Sequence, residues 1–286
     1  MAVYEQVYKP YTGQQTSTWS RFLIIPRHAY QDIFRSKLFL GFFVTCFVFP
    51  LISLILIYLH HNENALDILD LRVSKLIPID ARFFYNYVFV QGMMGFLLTV
   101  FIGPELIARD LTNNALPLYL CRPFTRAEYV IGKLAVLLIL LSAISWLPGL
   151  LLFSWQSYLG GSSWIAENSH LAGAIFFGSG IWILTLAMMS QAISAWVRWK
   201  IAAKAALVGL FFIPSVMAEV INLNFETRWG NLISLRALIR TVWAGLFHFP
   251  HRMELPYTSA WLGLFVICII SLLLLTRKVR AYEVVR

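Results

Sequence analysis

The sequence predicts an all-α polytopic membrane protein with six transmembrane helices and both termini in the cytoplasm. Three observations predict it. The 286 residues are 59% hydrophobic and only 13% charged, against roughly 25% charged in a soluble domain, so a globule of this composition could not solvate its own surface. Six apolar runs approach the ~20 residues a membrane helix needs. The basic residues fall mostly on one side of those runs, as cytoplasmic loops require.

Residues 1–38 form a cytoplasmic N-terminus, polar over the first twenty residues and without the pattern of a cleaved signal peptide. Within it, Trp19–Leu38 is too polar to span. After Pro26, Ile33, Phe34, Lys37 and Leu38 make a mixed apolar and basic face, which predicts an interface helix leading into the membrane. A six-span domain over 39–276 comes next. Its spans are Phe39–Leu59, Phe83–Gly103 with Gln91 as the polar interruption, Tyr129–Phe153 with Pro148 near the far end, Leu171–Trp196, Ile201–Val220 and Tyr257–Thr276. The five residues VRWKI between spans four and five force a tight hairpin. Residues 277–286 form a cytoplasmic tail.

This arrangement leaves Arg72, Lys75, Arg82, Arg228, Arg236, Arg240 and Arg252 outside and the other sixteen of the 23 basic residues inside. The net charge of +9 then calls for anionic lipid, not nucleic acid. Cys46 and Cys268 fall in spans and Cys121 between spans two and three, so three reduced thiols are expected. The outer loop 222–256 carries apolar residues at 232, 235, 239, 242, 243 and 246, a helical spacing flanked by Arg236 and Arg240. It predicts an amphipathic helix that lies at the outer interface, or dips in without crossing.

Several chemistries are missing. Spans one, two, four and six hold no Asp, Glu, Lys, Arg or His, and Lys133, Lys204 and Glu219 sit near the ends of spans three and five. Gradient-driven transporters and pumps usually carry such groups at mid-membrane. There is no HExxH or GxSxG. His248, His251 and Glu254 have a metal-like spacing, but Pro250 interrupts any shared helical face, so no metal site is expected. His60 and His61 mark the end of span one. Asp67, Asp70 and Asp80 among Arg72, Lys75 and Arg82 read as a solvated segment. Gly132-Lys133 lacks the upstream glycine and the following Ser or Thr of a phosphate loop.

The polar strip between spans two and three, 104–128, is longer than a turn needs. Gly103-Pro104-Glu105 predicts one helix ending and another starting, since proline and an acid suit a first turn. The short helix runs through Leu106, Ile107, Arg109, Asp110 and Leu111 and stops near Asn113-Asn114. Pro117 and Pro123 break the connector, with Arg122 pushed toward extended geometry. Thr125 and Glu128 have the spacing of a capping box at the start of span three.

The stretch PELIARDLTNNALPLYLCRPFTRAEYVIGKL resembles the region between spans two and three of ABC-2-type permeases, the membrane subunits of many bacterial ABC transporters. Glu105, Arg109 and Asp110 stand where that family has its coupling helix. Leu118-Tyr119-Leu120, Arg122-Pro123, Arg126 and Gly132-Lys133 match the family's pattern after that helix, and the tail RKVRAYEVVR is also similar. Asn113-Asn114-Ala115 departs from the Gly-Thr of many members. The resemblance implies a non-catalytic subunit with no cofactor of its own, working in the bacterial cytoplasmic (inner) membrane. ATPase subunits that bind ATP-Mg would dock on Glu105, Arg109, Asp110, Leu111, Arg122, Pro123 and Arg126. A second permease, identical or a sibling, would complete the membrane unit. Thr125 and Glu128 would pass motion to span three, Lys133 would form a basic rim there, and spans two and five would line the substrate path, in the exporting direction. A lipid-directed membrane enzyme using His248, His251 and Glu254, and a non-transporting scaffold, are the alternatives.

Overall fold

The computed structural model describes residues 23–62, 78–113, 125–197, 199–249 and 255–278. The acids and bases at 67–75, the connector with Pro117, Cys121, Arg122 and Pro123, the residues Arg198, His251 and Glu254, and the tail beyond Lys278 lie outside them. The described residues are helical, with no strand. Six helical segments are long and apolar enough to cross a membrane: Lys37–His61, Ala81–Asp110, Arg126–Asn168, His170–Trp196, Lys200–Phe225 and Tyr257–Lys278.

The helix expected at the interface, α1 (Ile24–Ile33), is shorter than the sequence predicts. Lys37 and Leu38 belong to the next helix, because Ser36 turns extended and its hydroxyl caps that helix by accepting from the Phe39 N–H. The face of α1 that packs inward carries Ile25, Pro26, Ala29, Tyr30 and Ile33. Tyr30 donates to the Val136 carbonyl at 2.9 Å and so ties α1 to span three.

Span one is α2 (Lys37–Thr45) and α3 (Val48–His61). The interruption between them has an identifiable cause. Pro50 has no N–H to offer the carbonyl four residues earlier, at Cys46. Gln91 of span two fills that vacancy, its Nε2 donating to Cys46 O at 3.0 Å. The polar residue that interrupts span two therefore repairs span one.

Span two is α4 (Ala81–Thr112), one helix of 32 residues. It starts at Asp80, whose carboxylate accepts from the N–H groups of Arg82 and Phe83. At 1.5 Å per residue it is about 48 Å long, against a hydrocarbon core of about 30 Å. Span three is α5 (Arg126–Ile144) and α6 (Trp146–Asn168), broken at Ser145 three residues before Pro148. It continues well past Phe153, with a bend at Gly161, where φ is +77°. Helix lies on both sides of this kink, so the segment runs fifteen residues beyond the expected end of the span, to Asn168.

Span four, α7 (His170–Trp196), is the central helix, packed against α4, α5, α6 and α10 (Tyr257–Lys278, span six). Span five, α8 (Lys200–Phe225), is buried only along Ala203, Leu207, Phe211 and Ala218. The segment between spans five and six holds a short 3-10 helix (Trp229–Ile233) and α9 (Leu235–Leu246). Helix α9 packs into the helix bundle. Eight of its twelve residues are buried, and its length of about 18 Å is too short to cross. Trp243 reaches the bundle centre, where its indole donates to Gly178 O at 2.8 Å. Trp182 donates to Gly92 O at 2.9 Å beside it. Gly92 is required there, since a Cβ would lie 2.6 Å from the Trp243 ring.

Candidate functional site

The charged end of α4 gathers most of the residues singled out in the polar strip. Sequence spacing predicts a helix break at Gly103-Pro104, but α4 runs through both to Thr112. Two features make this possible. Gly103 lets span four approach so closely that a Cβ would collide with Ser190. Pro104 leaves the Val100 carbonyl without its helical partner, and the next turn is held by Ser194 of α7 instead. Its hydroxyl accepts from the N–H groups of Ile107 (3.1 Å) and Ala108 (2.9 Å) and donates to Pro104 O (2.7 Å). Ser194 is fully buried. The helix stops at Thr112, with Asn113 in a turn, where the Asn-Asn pair predicts it.

The charges of the strip are then used inside the chain. Glu105 meets Lys204 of α8 at 2.8 Å. Arg109 meets Asp32 of α1 at 3.2 Å, and Arg35 lies 3.7 Å from the same carboxylate. Asp110 meets Lys133 of α5 at 2.7 Å and accepts the Tyr129 hydroxyl at 2.8 Å. The end of α4 is thereby held by α1, α5, α7 and α8 at once.

These contacts are unequal. The side chains of Glu105 and Lys204 are 40% and 30% exposed, and those of Arg109 and Asp32 are 57% and 50% exposed. Solvent-screened pairs of this kind contribute about 0–1 kcal/mol. The side chains of Lys133 and Asp110 are only 8% and 13% exposed. Removing one member of a buried pair strands the other charge, at a cost of about 3–5 kcal/mol. The Lys133 ammonium also lies 5.7 Å from the centre of the Tyr129 ring. Lys133 is therefore not the basic rim that its place at the membrane entry predicts. An ammonium entering an apolar helix is held by a buried carboxylate, not by lipid headgroups.

Thr125 and Glu128 form the expected capping box. The Thr125 N–H donates to Glu128 Oε2 at 2.6 Å, and Glu128 N–H donates to Thr125 Oγ1 at 3.2 Å. Arg126 comes directly after Thr125, exposed and without an ion-pair partner among the described residues. Of the seven expected docking residues, Glu105, Arg109 and Arg126 keep ample exposed surface, whereas only 13% of the Asp110 side chain is exposed. Leu111 lies on α4 just before its end, and Arg122 and Pro123 fall outside the described residues. Sequence reasoning missed Ser194, Tyr129 and Asp32. Asp32 carried a signal, as the only acid in Trp19–Leu38. Ser194 carried none, since a serine in an apolar span is common.

At the opposite end of the bundle His248 faces His170. Among the described residues no group of three or more His, Cys, Asp or Glu is placed to hold a metal. Cys46 and Cys268 are free thiols. The chain matches no protein-family model, and no curated protein is significantly similar to it.

Proposed function

We propose that this chain is the permease subunit of an ATP-driven ABC-2-type transporter, an exporter powered by a separate ATPase. The observation that carries the reading is the build of α4. A helix about 18 Å longer than a bilayer core projects a charged end, and that end is pinned to four other helices. A load applied near Arg109 and Arg126 would reach spans three, four and five together. Packed helices with discrete contacts transmit such displacements as rigid bodies. The resemblance of residues 104–134 to the coupling region of the family supplies the identity of the partner. The scarcity of charge within the spans supports an energy source outside the chain.

In this mechanism, ATP-driven closure of two ATPase subunits pushes the ends of α4 in two permeases, identical or siblings. The Thr125–Glu128 cap keeps the start of α5 from fraying under that push. Span five offers the broad apolar face for the second subunit, with Val208, Phe212, Ile213, Val216 and Val220 exposed along it, while Phe211 stacks on Phe96 of span two at 4.2 Å. The path then opens between spans two and five of the paired subunits. No cofactor is needed in this chain, since ATP-Mg stays with the ATPase, and the subunit works in the bacterial cytoplasmic membrane.

Purification of the tagged chain in gentle detergent tests the proposal. An ATPase subunit accompanies it, and reversing the charges of Arg109 and Arg126 releases that subunit while leaving the permease folded. A chain that never brings an ATPase with it contradicts the reading.

A further inference from the structure

His170 opens α7 and His248 lies just past the end of α9, far apart in sequence. Their imidazole rings nevertheless face each other with centres 4.6 Å apart and planes tilted by 39°. They line an open groove with Gly173, Phe177, Gly245 and Tyr257. His248 is exposed and His170 half-buried. Neither side chain makes a hydrogen bond or ion pair among the described residues. His248 also holds a left-handed backbone, φ +58°, which costs a non-glycine residue something to keep.

Two rings at this distance cannot both be charged without repulsion, and neutral imidazole is the form that binds a metal. Two imidazoles bound to one ion through bonds of about 2.0–2.1 Å place their centres about 4.5–5.2 Å apart, for ligand angles between about 90° and 110°. The observed separation falls in that range. Among the described residues no third His, Cys, Asp or Glu joins the pair.

We infer that His170 and His248 form a two-donor site for a divalent transition ion of the zinc or copper type, at the end of the bundle opposite the charged clamp. Imidazole selects these ions over magnesium or calcium, which prefer oxygen. With two protein donors the site is weak and exchangeable, unlike a closed structural zinc centre. An ion there joins span four to the inserted helix α9 and fixes the position of Trp243 at the bundle centre. The site needs no ATPase partner to form.

Zn2+ titration of the full chain, with its affinity tag removed, tests it by calorimetry and thermal unfolding. The wild type takes up one equivalent and its Tm rises with Zn2+, while Mg2+ at the same concentration does neither. His170→Ala and His248→Gly each lose both effects. Glycine suits the backbone of position 248, so that variant keeps the fold. His60 and His61 form the control: their rings lie 5.1 Å apart, but they are consecutive helical residues, which do not face each other, and His61 Nδ1 is engaged at the Ile57 carbonyl, so the double variant His60→Ala/His61→Ala binds as the wild type does. Absence of binding by the wild type at millimolar Zn2+, retention by either single variant, or loss in the control overturns the inference.

Discussion

Asp110 and Lys133 face each other at 2.7 Å across the junction of spans two and three, almost out of reach of solvent. Their pairing turns two charges that belong to different helices into one fixed contact. It has a direct consequence for mutants. Asp110→Ala or Lys133→Ala strands a buried charge and lowers stability by about 3–5 kcal/mol. The exchange Asp110→Lys/Lys133→Asp recovers much of that loss, and Arg109→Ala costs less than about 1 kcal/mol. Thermal unfolding in detergent measures all four. Equal effects for Asp110→Ala and Arg109→Ala would show that the burial difference has no energetic weight.

Ser194 is the partner that keeps α4 helical past Pro104. Ser194→Ala removes the acceptor for two buried N–H groups and the donor to Pro104 O. The expected loss is about 1–3 kcal/mol, concentrated in residues 104–112. Hydrogen exchange reads it as faster exchange in that segment, with the rest of span two unchanged. Uniform acceleration along the whole of α4 would contradict a local role.

The inserted helix α9 depends on the fit of Trp243 against Gly92. Gly92→Ala forces the indole to move and destabilises by about 1–3 kcal/mol. Combined with Trp243→Leu, which leaves space at that point, the glycine substitution costs much less than it does alone. The two changes are therefore non-additive in a double-mutant cycle. Additive effects would mean that the ring and the glycine do not share a contact.

Burial pushes the Tyr30 hydroxyl up to about 12. The folded protein holds that proton more tightly than the unfolded chain, whose tyrosine titrates near ~10. The docking of α1 on Val136 is therefore complete below pH ~10 and is lost as pH rises toward 12. A difference titration of tyrosinate absorbance, wild type minus Tyr30→Phe, places its midpoint near the upper value. A midpoint at the ordinary phenol value would mean that α1 is undocked.

The features legible in the residues alone are those set by local chemistry. Apolar runs of this length place six spans because a helix satisfies its own backbone groups in lipid, and Thr125 with Glu128 announces its own cap. Gly103-Pro104 misled because proline's local preference was overridden from another helix, by a serine 90 residues away. At Pro50 the local preference prevails and span one breaks, but the Cys46 carbonyl it frees is met from another span, by Gln91. Lys133 read as a lipid-facing rim because its counter-ion, Asp110, lies on a different span. For α9 the apolar spacing was legible, but how deep it sits was not. Depth depends on whether Gly92 and Gly178 leave room for an indole, and that is a property of three helices together.

The central claim is that the charged end of α4 and the cap of span three form the docking surface for an ATPase. A photo-crosslinking residue introduced at Arg126, and separately at buried Lys133, tests it most directly in cells. The account predicts a covalent adduct with an ATPase subunit from position 126 and none from position 133. No ATPase adduct from position 126, with the chain expressed and folded, would contradict it.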